Sequence, residues 1–162
     1  MIKMMDWNNK AEVLEAVKND GRALKYANVR LQDDEDVVLA AVRNVRYALR
    51  YASPRLQDNK NIVLEAVEDI GGALRYTSKR LRDDEEIVTK AVKNEGHVVR
   101  FASPRLRDDK KVILIAVKQY GWAIEFASKR LQRDKDIIRE AAKNGYNLSR
   151  YSNKERSQNE KA

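Results

Sequence analysis

Apolar residues recur along this chain at a fixed interval of 25 positions. Leu31, Leu56, Leu81, Leu106 and Leu131 form one column. Ala16, Ala41, Ala66, Ala91, Ala116 and Ala141 form a second, and Tyr26, Tyr51, Tyr76, Phe101, Phe126 and Tyr151 a third. Within each interval the first apolar run has helical spacing. Val37, Val38, Ala41 and Val42 share one helix face, and the same face returns as Ile62, Val63, Ala66 and Val67 and as Val112, Ile113, Ala116 and Val117. A break at Gly21, Gly71, Gly96 or Gly121 follows, then a second apolar run such as WAIEFASKRL. The pattern predicts two short helices per interval. An aspartate of pairs such as Asp33/Asp34, Asp83/Asp84 and Asp108/Asp109 starts the first helix, where unpaired N–H groups and the helix dipole favour negative charge. The glycines are expected to end that helix and turn the chain. Pro54 and Pro104 are expected to end the second helix by Ser53 and Ser103. The small alanine column implies a close helix crossing.

One phasing accommodates the whole pattern: a lead-in at 1–7, units at 8–32, 33–57, 58–82, 83–107, 108–132 and 133–157, and a polar tail at 158–162. A helix of about ten residues is marginal alone, and two of them cannot bury both apolar faces. Stacking each unit on the next can. The expected fold is all-α: a single-domain α-solenoid of about six 25-residue two-helix repeats, about twelve short helices in all. Terminal units depart from the pattern at Glu12, Arg139, Ala142 and Ser149, which suits capping repeats with a wet outer face. Trp7 is placed to cover the first open end.

The stretch DNKNIVLEAVEDIGGALRYTSKRLRDDEEIVTKAV resembles the repeat family known as domain of unknown function 4116. The shared pattern is Asp, an apolar-Ala-Val helix, Gly, an Ala-Leu-aromatic-Ala-Ser helix and Leu-x-Asp. The resemblance covers about residues 8–157. It implies a helical repeat of the kind found in bacteria, phages and large viruses, sometimes attached to effector-like proteins. It carries no catalytic motif. Its setting points to interaction proteins, including ones that phages use against host systems.

Composition narrows the chemistry. The chain has no cysteine and one histidine, His97, so a thiolate metal site or a Cys–His or Ser–His pair beyond that residue has nothing to be built from. No cofactor is expected. No apolar run approaches the roughly 20 residues that span a bilayer, and MIKMMDWNNK lacks a signal-peptide core. An intracellular, cytoplasmic chain with no membrane partner is expected, in a host cytoplasm if a phage encodes it. The net charge of +8 comes from 33 basic and 25 acidic residues, a mixed surface with a basic surplus.

Two arginine patterns bear on function. Arg30, Arg55, Arg80, Arg105 and Arg130 form a column, which unit spacings of about 8–10 Å would make a ladder able to track phosphates. An aromatic four residues earlier invites base stacking. The competing reading is structural: Asp33, Asp58, Asp83 and Asp108 stand three residues after four of these arginines and can pair with them locally, with the guanidinium lying on that ring. Lys25, Arg50, Arg75 and Arg100 make a second near-column, broken by Glu125. A column repeated in every unit tends to define the stack, and variable columns are freer to meet a partner. The variable positions Tyr47, His97, Tyr120 and Trp122, with Ile115 at a column often charged, form the candidate protein-binding ridge. The leading functional expectation is a non-enzymatic repeat module that binds another protein with an acidic surface, as an inhibitor or adaptor acting on a host or defence protein. The alternative is a nucleic-acid binder using the arginine ladder. A homo-oligomer built on the apolar patch is a third reading.

Overall fold

The computed structural model describes residues 5–147 and 149. Tyr151 of the aromatic column, the rest of the sixth unit and the 158–162 tail lie outside the described residues. The architecture is a helical solenoid, with no strand among the described residues. Its period is the 25 residues of the sequence columns. Long helices run Lys10–Asn19, Glu35–Asn44, Lys60–Val67, Glu85–Asn94, Lys110–Gln119 and Lys135–Lys143. Each packs on the next, which forms one layer. No helix of the described residues is long and apolar enough to cross a membrane.

The second element of units one to five is not an α-helix. It is a six-residue 3₁₀ helix: Gly21–Tyr26, Arg46–Tyr51, Gly71–Tyr76, Gly96–Phe101 and Gly121–Phe126. These stack on one another as the second layer. Each stops at a residue with extended backbone, Ala27, Ala52, Thr77, Ala102 or Ala127, whether or not a proline follows. A short third piece then carries the leucine column. It is a one-turn α-helix at Pro54–Gln57 and Pro104–Arg107 and a 3₁₀ turn at Leu81–Asp83 and Leu131–Arg133. Pro54 and Pro104 therefore start a helical turn at the position where a missing N–H costs nothing.

The core follows the columns. Each inner unit buries four residues of its long helix, for example Ile87, Val88, Ala91 and Val92. The first unit buries only Val13 and Val17 there, and the sixth only Ile137 and Ala141. Trp7 packs against the core and stands 5.2 Å from the Tyr26 ring.

The glycines do something other than turn the chain. None of Gly21, Gly71, Gly96 and Gly121 has a positive φ, and the residues before them are extended. A Cβ at these positions would sit 2.2–2.3 Å from the carbonyl oxygen of Ala41, Ala91, Ala116 or Ala141 in the next unit. Glycine is required because two backbones touch. Unit two has Arg46 in this column, and the facing long helix of unit three ends after eight residues, at Val67. Only Gly145, with φ of 88°, plays the expected role. It lets the Gly145 N–H donate to the Ala142 carbonyl and the Tyr146 N–H to that of Ala141, closing the last helix.

A longer period of 50 is overlaid on the first. Lys10, Lys60 and Lys110 begin long helices and each bridges two carboxylates of the next unit at 2.8–2.9 Å: Asp34 and Asp36, Asp84 and Glu86, Asp134 and Asp136. Glu35 and Glu85 hold that position in the units between, and those same units carry Pro54 and Pro104. Adjacent units therefore meet through two alternating kinds of interface.

Gly96→Ala should destabilise the stack by about 1–3 kcal/mol, the usual range for overpacking, because the methyl would meet backbone rather than a movable side chain. Urea unfolding followed by circular dichroism measures this. An unchanged midpoint would mean that the two backbones can separate at no cost.

Candidate functional site

The Asp pairs divide their work. The second member caps the long helix: the carboxylates of Asp34, Asp84, Asp109 and Asp134 accept from N–H groups of the first turn, as the side chains of Asn9 and Asn59 do. The first member caps nothing. It closes its own unit. Asp33, Asp58, Asp83 and Asp108 each accept the hydroxyl of a serine 20 residues later: Ser53, Ser78, Ser103 and Ser128. Each also accepts from the Nε of the arginine 22 residues later, Arg55, Arg80, Arg105 or Arg130, at 2.9–3.2 Å. The same guanidinium donates from a terminal nitrogen to the main-chain carbonyl of that aspartate.

The arginine column is thus paired backwards, to the aspartate that opens its own unit, and not to the aspartate three residues ahead, which opens the next. The reason lies in the main chain. The N–H of each joint serine donates to residue 32, 57, 82 or 107 of the unit before, at 2.8–3.1 Å. That bond holds the one-turn piece alongside the preceding aspartate. Unit one lacks an opening aspartate to receive Arg30. Asn8 stands where the aspartate would be and accepts from Asn28, and Arg30 makes no ion pair among the described residues.

A site for anions along this ladder is weakened by its own geometry. Four of its five arginines remain more than half exposed, with side-chain exposures of 56–65%, yet each has a carboxylate against it. Arg55 holds a second, Glu35, at 2.9 Å. Nor do these arginines cover the aromatic column. That place belongs to the other cations. Lys25 lies 4.4 Å from the Tyr26 ring centre. Arg50 sits between Tyr51 and Tyr76, at 5.0 and 5.7 Å. Arg75 sits between Tyr76 and Phe101, at 5.1 and 5.8 Å, and Arg100 lies 4.7 Å from Phe101. Arg50, Arg75 and Arg100 are exposed and have no carboxylate partner among the described residues. The lane stops at Glu125, which accepts the Tyr146 hydroxyl at 2.8 Å.

The variable ridge adjoins this lane. Residues three apart on a 3₁₀ helix eclipse, so Arg22 stands with Lys25, Tyr47 with Arg50, His97 with Arg100 and Trp122 with Glu125. The Tyr47 ring crosses over Gly72, where a Cβ would lie 2.6 Å from its hydroxyl oxygen, and meets Tyr76 edge-on at 6.1 Å. Burial, with Glu95 nearby, pushes the Tyr47 phenol above its ordinary value. His97 meets Tyr120 edge-on at 6.3 Å, and its Nε2 lies 3.7 Å from Glu95. Tyr47 and Tyr120 are 40% and 44% exposed, unusual for large apolar side chains here. Trp122 is half-buried, edge-on to Tyr146 at 5.2 Å. Ile115 does not join them. It lies in the lane of Glu65 and Lys90 on the long helices, where those residues pair with Arg43 and Glu68 of the preceding unit. Its half-buried side chain packs on the core.

The open cation lane was present in the sequence as a near-column but was overshadowed by the more regular ladder. What separates the two sets is the aspartate column, which binds four of the five ladder arginines and none of the three in the lane.

The joint makes a pH prediction. The serine hydroxyl first, and the arginine beside it, hold Asp33, Asp58 and Asp108 below the usual carboxylate range. Asp83 is held there by Ser103 and Arg105 against an opposing effect of burial. A carboxyl depressed in the folded state adds stability above its unfolded pKa and loses it as pH falls through the folded value. The thermal midpoint should therefore drop on the acid side of the carboxylate range, and the combined variant D33N/D58N/D83N/D108N should flatten that slope. R55Q/R80Q/R105Q should lower the midpoint at pH 7. A midpoint at the wild-type value would show that the clamps do not hold the stack.

A family model described as domain of unknown function (DUF4116) matches three consecutive stretches, residues 10–57, 59–107 and 109–155. Each stretch spans two 25-residue units and starts at, or one residue before, a bridging lysine, so the family repeat is the two-unit period seen at the interfaces. No curated protein and no solved structure matches the chain. With matches running through nearly its whole length, the chain belongs to the family described as domain of unknown function (DUF4116).

Proposed function

We propose that this chain is a non-catalytic repeat scaffold that binds another protein across its 3₁₀ layer. One observation carries the reading: the ridge and the open lane form a single face. Tyr47 and Tyr120 supply exposed rings and His97 a half-buried one, and Arg50, Arg75 and Arg100 supply charge that no carboxylate of the described residues offsets. Exposed tyrosine beside arginine is the composition of interface hot spots. Unpaired cations steer a partner of opposite charge. The partner is accordingly a protein with an acidic surface. In its narrower form, which rests on the family setting alone, the scaffold is an inhibitor or adaptor acting on a host or defence protein.

The ladder of Arg30, Arg55, Arg80, Arg105 and Arg130 is the poorer basis for a nucleic-acid reading, because a neutralised rung releases little counterion on binding a phosphate.

The test begins with capture of partners from the native host and their identification by mass spectrometry. Y47A/Y120A should then reduce the affinity of the purified partner at least tenfold, with the circular dichroism spectrum unchanged. Both side chains stand on the surface and neither belongs to the buried core, so the helical content should survive their loss. Full affinity in that variant would remove the ridge from the interface.

A further inference from the structure

The cations of the open lane repeat at a distance that selects a ligand. Tyr76 lies 5.7 Å from the Arg50 guanidinium carbon and 5.1 Å from that of Arg75. Phe101 lies 5.8 Å from Arg75 and 4.7 Å from Arg100. Successive charges are therefore no more than about 11 Å apart, in keeping with a stacking step of about 8–10 Å. The rings hold the guanidinium groups in place, so little side-chain freedom remains to be lost on binding. Their faces are already covered by cations, which leaves them closed to an incoming base. The exposed edges of the guanidinium groups remain, and these suit a carboxylate.

An extended polypeptide supplies carboxylates at the matching interval. In the polyproline II conformation three residues make a turn of about 9 Å, so every third side chain lies on the same side. We propose that the lane Lys25–Arg50–Arg75–Arg100 receives an extended acidic segment of the partner, carrying Asp or Glu at every third residue. The inference rests on the protein-binding reading and names the part of the partner that is recognised. Glu125 sets the end of the segment, since a fifth carboxylate would meet a like charge.

The test uses the full chain and three labelled probes: a (Pro-Pro-Glu)₄ peptide, an isomer of it with the four glutamates adjacent, and a single-stranded oligothymidine. Fluorescence anisotropy should show the spaced peptide binding at least tenfold tighter than its isomer, and more weakly as salt is raised. R50Q/R75Q/R100Q should lose the spaced peptide by tenfold or more. A variant that removes equal charge elsewhere, at the exposed Lys93, Lys118 and Lys129, should keep it. Equal binding of the two isomers to the unmodified chain, or tighter binding of the oligothymidine, would overturn the inference without recourse to any variant. Partner capture separates the two readings. If Y47A/Y120A loses the partner and the lane variant keeps it, only the acidic segment is wrong; if both keep it, the protein-binding face is wrong as well.

Discussion

The stack depends on a backbone contact that leaves no room for a side chain. At Gly21, Gly71, Gly96 and Gly121 the start of each 3₁₀ helix passes against an alanine carbonyl of the next long helix, closer than any Cβ would allow. That approach brings the two layers of neighbouring units together and makes the alanine column necessary, since a larger residue there would hold the helices apart. It also brings the joint serines within hydrogen-bonding range of the preceding unit, and the clamp follows. Where Arg46 replaces glycine, the facing helix is the one that is shortened.

Two columns of the same residue type have opposite fates because of what the stack places beside them. Arg55, Arg80, Arg105 and Arg130 reach an aspartate 22 residues back and become part of the joint. Arg50, Arg75 and Arg100 reach only rings, which steady a guanidinium without neutralising it. A solenoid needs its units to meet in one way, and charge that serves this purpose is spent inside the stack. Charge left over lies on the 3₁₀ layer beside Tyr47 and His97, where no neighbouring unit covers it.

Most of the architecture was legible in the sequence. A period of 25, the buried columns, the two atypical end units and the helix starts all follow from apolar spacing and capping chemistry, which act over a few residues. The same rules misread the second element. RYALRY and GWAIEF carry apolar residues at intervals that serve an α-helix or a 3₁₀ helix equally well, and six residues are too few to separate them. The 50-residue period was visible in Lys10, Lys60 and Lys110 but is hard to weigh until each lysine is seen holding two carboxylates.

By itself, then, the sequence determined which residues are buried, where the long helices begin and the 25-residue interval at which they recur, because those are properties of local spacing. Only the tertiary structure decided what the glycines, aspartates and arginines are for. Each acts on a residue about 20 positions away: Gly96 on Ala116, Asp33 on Ser53 and Arg55, Arg50 on Tyr76. For Arg55 an aspartate of the right chemistry, Asp58, lay nearer in sequence. The choice was made by the stacking step, which places residues about one period apart side by side while the chain between them runs around the solenoid.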